Sequence, residues 1–152
     1  MKEYRLVLIL AMLAFPMVAP GQTYFSPGFH LGYRFGETGG FVSGIEVSVV
    51  QWGNRSYQGL VFAWDVMHGT HNIHLGFEYG VGFIGGCVGP VVSTGKDATD
   101  IGLRLTPYAG AIFIPYYSYQ LFRSLTSSHE VGMYLKVPIL TSGYPVESRL
   151  GG

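Results

Sequence analysis

Between Ile73 and Phe83 every second residue is large and apolar. Ile73, Leu75, Phe77, Tyr79, Val81 and Phe83 are separated by His74, Gly76, Glu78, Gly80 and Gly82. A helix scatters such a set around its axis, whereas a strand holds it on one face by geometry. The same period governs Phe29, Leu31, Tyr33 and Phe35, interleaved with His30, Gly32, Arg34 and Gly36. It returns in Val131, Met133, Leu135, Val137 and Ile139, interleaved with Glu130, Gly132, Tyr134, Lys136 and Pro138. Clusters of turn residues cut the chain at Glu37 to Gly40, Trp52 to Ser56, Gly69-Thr70, Gly80 to Gly82, Ser93 to Thr99, Thr106-Pro107 and Arg123 to Ser128. These breaks predict eight strands, about 28–36, 41–51, 58–67, 72–79, 83–93, 100–105, 108–122 and 129–140. No repeat or second domain interrupts them.

A meander of eight strands loses its unpaired edges by closing on itself, which predicts an all-β, antiparallel up-and-down barrel. Which face lies inside is decided by charge. Only 12% of the residues are charged and the net charge is zero, against about 25% charged in an ordinary soluble domain. On the non-apolar face stand His30, Arg34, Glu46, Asp65, His74, Glu78, Arg104, Glu130 and Lys136, set among glycine, alanine and serine. A water-facing surface would be richer in charge. Sparse charges of mixed sign between small residues suit the filled interior of a narrow barrel. The expectation is a membrane β-barrel whose lumen holds Arg34, Arg104 and Lys136 against Glu46, Asp65, Glu78 and Glu130. The alternative orientation is a soluble barrel binding an apolar ligand. Tyr24, Phe25, Trp52, Tyr57, Tyr108, Tyr116, Tyr117 and Tyr119 lie near the predicted strand ends and are expected to form aromatic belts.

The N-terminus reads as an export signal. Lys2 and Arg5 precede the apolar stretch Leu6 to Val18, too short to span a bilayer as a helix. Ala19-Pro20-Gly21 supplies small residues at −3 and −1, so residues 1–21 are expected to be removed before Gln22. Residues 22–140 then form the barrel domain and 141–152 a C-terminal tail. The single cysteine excludes a disulfide framework and a cysteine-based zinc site. With no basic run, no nucleic-acid partner is expected.

The pattern over residues 24–140 resembles the small outer-membrane β-barrels of Gram-negative bacteria, of the OmpA-like, OmpX-like and Bacteroidota kinds. The most specific element is Glu130-x-Gly132-x-x-Leu135-x-Val137, which is similar to the insertion signal such barrels present to the barrel assembly machinery. Tyr134-Leu135-Lys136-Val137-Pro138-Ile139 also looks like a closing strand of this family. The chain departs from it by continuing through Thr141 to Gly152 rather than ending on an aromatic residue. The resemblance implies a cell outer-membrane location, outer-membrane lipid as surroundings, and a periplasmic N-terminus. Connections 37–40, 68–71, 94–99 and 123–128 would then face outward, all too short to form the large surfaces of adhesins and receptors.

Several residues offer chemistry. His68, His71 and His74 are spaced three apart; if Gly69-Thr70 is the hairpin turn, His68 and His71 become a cross-strand pair able to hold a divalent metal, with Asp65 or Asn72 as a third ligand. Ser128-His129-Glu130 brings a hydroxyl, an imidazole and a carboxylate together in sequence, but strand neighbours point to opposite faces and do not form a relay. Arg34, Glu46, Glu78 and Arg104 either line an ion path or plug the lumen. Cys87 reads as a packing residue. Gly39-Gly40 and Gly85-Gly86 have no helix behind them to make a phosphate loop. No other cofactor is expected. The reading that follows is a non-enzymatic barrel with a structural or accessory role beside another envelope protein. A small pore, a lipid-modifying enzyme and the soluble ligand-binding barrel are the alternatives.

Overall fold

The computed structural model describes residues 21–36, 39–95 and 98–142. The expected leader, apart from Gly21, and residues 143–152 of the expected tail lie outside the described residues. The strands are β1 (Gln22–Phe35), β2 (Gly40–Trp52), β3 (Ser56–Met67), β4 (Thr70–Val81), β5 (Ile84–Thr94), β6 (Thr99–Ala109), β7 (Phe113–Phe122), β8 (Ser128–Lys136) and β9 (Ile139–Ser142). Each of β1 to β8 pairs antiparallel with its sequence neighbours, and β1 pairs with β2 on one edge and β8 on the other. The sheet is therefore a closed eight-stranded up-and-down barrel. β9 continues along the edge of β1 that β8 occupies. The expected last strand, 129–140, is thus interrupted at Val137-Pro138, and the expected boundary between barrel and tail at 140 falls inside β9. Proline has no N–H for the ladder; Val137 donates to the Pro27 carbonyl (3.0 Å) and pairing resumes beyond Pro138.

Three turns differ from the expected ones. The β3–β4 hairpin turns at His68-Gly69, with Met67 opposite Thr70. Both turn residues have positive φ, 48° and 79°, the backbone of the tight hairpin turn that follows sheet twist. The β4–β5 hairpin turns at Gly82-Phe83, where Gly82 takes φ 58°, so the alternation runs on through Val81. Thr106-Pro107 makes no turn. The β5 ladder continues past it, Cys87 opposite Thr106 and Gly86 opposite Pro107, while the β6–β7 ladder skips these positions. The missing proline N–H costs local pairing on one edge only, and the connection moves to Gly110–Ile112.

Inside and outside are sharply divided. Every Asp, Glu, Lys and Arg within the strands is buried and faces the lumen. Outward positions carry Phe29, Leu31, Ile45, Leu60, Phe62, Leu75, Leu103 and Leu135, all exposed. This polar-in, apolar-out arrangement is that of a transmembrane barrel. A strand of 12 residues such as β3, rising about 3.3 Å per residue and tilted about 45°, crosses about 28 Å, close to the thickness of a bilayer core. Among the described residues no helix is long and apolar enough to cross a membrane. The aromatic expectation holds only in part. Phe25, Tyr117 and Tyr119 face outward, but Tyr57, Tyr108 and Tyr116 are buried in the lumen, and Tyr24 and Trp52 line its mouth. Gly32 and Gly132 make room for Tyr116: a Cβ on either would stand 2.6 Å from its hydroxyl.

Candidate functional site

The lumen is the site, and the barrel divides it into two halves. The entry half adjoins the rim where β1 begins and β9 ends. The far half adjoins the rim of His68-Gly69 and the β7–β8 connection.

In the far half, Arg34 on β1 donates from Nε (3.1 Å) and Nη2 (2.8 Å) to Glu130 Oε2 on β8. With the Asn72 amide oxygen turned toward it, Arg34 also donates from Nη1 (2.9 Å) and Nη2 (3.0 Å), while the Asn72 nitrogen donates to Ser93 Oγ (2.8 Å). Arg104 on β6 donates from Nη1 to Asp65 Oδ2 (2.5 Å) and from Nε to Ser118 Oγ (3.0 Å) and Thr106 Oγ1 (3.3 Å). Its Nη2 lies 3.7 Å from Glu130 Oε1, which accepts from the Tyr116 hydroxyl at 2.7 Å. His30 Nε2 stands 3.0 Å from Asp65 Oδ1. Two guanidinium groups and two carboxylates thus close a balanced network, the condition under which buried charge is tolerated.

In the entry half the composition changes. Val50, Tyr57, Val61, Cys87, Tyr108, Ile114, Tyr116 and Tyr134 form a buried apolar and aromatic cluster, which reaches the far half at Tyr116 and Tyr134, both packed on His30. Lys136 on β8 forms an ion pair with Glu46 on β2 and stands 3.8 Å from Glu78 Oε2 on β4. The Tyr108 hydroxyl donates to the same Glu78 oxygen at 2.8 Å. The Lys136 ammonium lies over the Tyr134 ring, 5.3 Å from its centroid, and 5.8 Å from that of Tyr108. The structure therefore brings Arg34, Glu46, Asp65, Glu78, Arg104, Glu130 and Lys136 into one lumen but as two clusters.

Each half opens into a vestibule. The far one encloses about 550 Å³, with Arg34, Ser93 and Ser128 among its lining. The entry one encloses about 360 Å³, walled by Val50, Trp52, Tyr57 and Ile114 and floored by Ser48, Glu78 and Lys136.

The proposed histidine pair is not assembled. Because the turn falls one residue earlier than expected, His71 sits opposite Val66, and a one-residue slip moves a side chain to the other face. His71 lies outside, stacked on Trp64 at 5.9 Å and accepting from its Nε1 at 3.3 Å. His68 lies at the far rim of the lumen, its ring where a Cβ on Gly40 would point. Asp65 and Asn72 are engaged by the arginines. His30, Asp65 and Glu130 bring ligand atoms within 4.8 Å of one another, but the positive charge held among them is the Arg104 guanidinium. Ser128 and Glu130 face inward and His129 outward, where its Nδ1 meets the Tyr117 hydroxyl. No relay connects them. Of the insertion-signal residues, Glu130 and Gly132 face the lumen, and Leu135 and Val137 are exposed. Cys87 is buried in the entry half, opposite Thr106.

Of the neutral partners, Tyr108, Tyr116, Ser118 and Thr106 are not among the lumen residues expected from the sequence, and Asn72 is expected only as a metal ligand. Their strand parity, shared with the charged residues, was the available signal. Two solved structures are similar to the chain. One is the crystal structure of Neisserial surface protein A, with 11% identity, 76% of this chain and 96% of that chain covered, and a TM-score of 0.46. The other comes from the de novo design of transmembrane β-barrels, with 9% identity, 79% and 98% covered, and a TM-score of 0.43. No protein-family model matches the sequence, and no curated protein matches it either.

Proposed function

We propose that this chain is an outer-membrane barrel of a Gram-negative envelope, exported by its leader, inserted by the barrel assembly machinery, with a structural or accessory, non-enzymatic role. The observation that carries this reading is the ion-paired lumen: the Arg34–Glu130 and Arg104–Asp65 pairs lie between two vestibules and are almost wholly buried. Such a centre favours a closed body over a conducting one, because ions would have to displace charge-assisted bonds. The far rim carries the two-residue turn His68-Gly69, which offers little surface for capturing a large partner. An accessory contact with another envelope protein would then use the outward apolar face within the lipid. Conductance of the purified full chain in planar bilayers tests the closed reading. A flat trace is expected; reproducible unitary steps would replace it with a small pore. Fractionation tests the location, and recovery without detergent in the soluble periplasm would overturn it.

A further inference from the structure

The two lumen clusters differ in charge. In the far half, Arg34 and Arg104 meet Asp65 and Glu130, two against two, while Asp100 at the rim accepts from the backbone N–H groups of Ile101, Ser124 and Leu125. In the entry half, Lys136 alone meets Glu46 and Glu78. One carboxylate there is uncompensated among the described residues, and it borders a cavity. Glu78 is only 2% exposed; its Oε2 is held by Tyr108, while Oε1 has no hydrogen-bond partner. Ser48, 1% exposed at the same floor, also has an unpartnered hydroxyl. Other buried polar atoms of the lumen, among them His30 Nδ1, His74 Nε2 and the Gln120 amide, are unpartnered too, but Glu78 and Ser48 line a cavity beside which carboxylates outnumber cations, and that combination points to a ligand.

From the unpartnered Glu78 and Ser48 beneath the aromatic entry vestibule, we infer that this cavity is a binding site for a small organic amine with an apolar body. Its volume, about 360 Å³, lies within the usual range of small-molecule sites, apolar walls with few polar anchors. Trp52 stacks on Tyr57 at 5.0 Å between centroids and, with Val50 and Ile114, receives the apolar body. The ammonium end meets Glu78 Oε1 and Ser48 Oγ, restoring two cations against two carboxylates. Aromatic faces beside it add cation–π attraction. An anion of the same size would meet the excess negative charge and be rejected.

The test uses the full chain in non-ionic detergent, with Trp64→Phe so that Trp52 alone reports. The probes share one body: 4-phenylbutylamine, 4-phenylbutan-1-ol and 4-phenylbutyrate. Saturable quenching is expected for the amine, with a Kd at least about tenfold tighter than for the alcohol and none measurable for the carboxylate. Glu78→Gln should abolish the amine's advantage while leaving the alcohol's weak binding. Equal affinities in the wild-type chain overturn the inference, as does the lack of any saturation. An advantage that survives Glu78→Gln overturns the assignment to Glu78. The wild-type series decides the charge selection even if that variant does not fold.

Discussion

The two halves of the lumen solve the problem of buried charge differently. The far half uses planar guanidinium groups, whose several donors engage two carboxylates and the hydroxyls of Ser118 and Thr106. The entry half uses one lysine, a compact charge on a flexible stem, set among tyrosine rings. In the first, two guanidinium groups each make charge-assisted bonds to a carboxylate. In the second, one ammonium group meets two carboxylates. Shared topology therefore does not make the lumen uniform: both halves open into vestibules, but the entry one is walled by aromatic and aliphatic side chains above a carboxylate with a free oxygen.

The largest effect is expected where the network is densest. Arg104→Met removes the cation between Asp65 and Glu130, and stranding such buried charge costs about 3–5 kcal/mol. Urea unfolding of the chain in lipid vesicles measures it as a fall in midpoint. A loss below ~1 kcal/mol would erase the distinction between the halves. Lys136→Met strands Glu46 and Glu78 and should also be severe. Neutralising all three, in Lys136→Met with Glu46→Gln and Glu78→Gln, should recover most of that loss, since an apolar or neutral replacement of a buried ion pair is often tolerated. A triple variant as unstable as the single one would mean that packing of the Lys136 stem on Tyr108 and Tyr134, not charge, holds the entry half.

A smaller effect separates hydrogen bonding from charge. Tyr116→Phe deletes the 2.7 Å bond to Glu130 without changing the ion count. A bond to a charged group contributes about 1.5–3 kcal/mol, and the same unfolding measurement should place the variant between wild type and Arg104→Met.

Strand parity made the lumen charges legible in the sequence. Arg34, Glu46, Asp65, Glu78, Arg104, Glu130 and Lys136 all fall on the face that lacks large apolar residues, and all are found inside. Parity also explains the outward ladder of β4. What it left unread has three physical causes. Tyrosine suits both a membrane belt and a lumen, so residue type alone does not assign Tyr57, Tyr108 and Tyr116 to one or the other. Turn residues mark a hairpin only to within a residue, and at His68-Gly69 that residue decided on which face His71 lies. Proline at 107 reads as a break in the sequence, although its missing N–H matters only on the edge it would have served. The division into two clusters depends on register between strands distant in sequence, β1 with β8 and β2 with β3, which alternation within one strand does not encode.

The smallest effect is the most discriminating. Glu78→Gln keeps the shape of the side chain and removes one negative charge from a cluster that has one too many. The Tyr108 hydroxyl still finds an oxygen to accept its bond, and Lys136 keeps Glu46. The expected change is within ~1 kcal/mol, the range of an ordinary hydrogen bond weakened from charged to neutral, and a gain is as consistent with the charge count as a small loss. Glu130→Gln supplies the contrast in the far half, because it leaves Arg34 and Arg104 with Asp65 alone and weakens three donors at once. Equal destabilisation by these two isosteric changes would show that Glu78 is as tightly committed to the fold as Glu130. An unequal pair, with Glu130→Gln at least about 2 kcal/mol worse, would show that the Glu78 carboxylate is not required by the barrel itself and is free to meet a ligand.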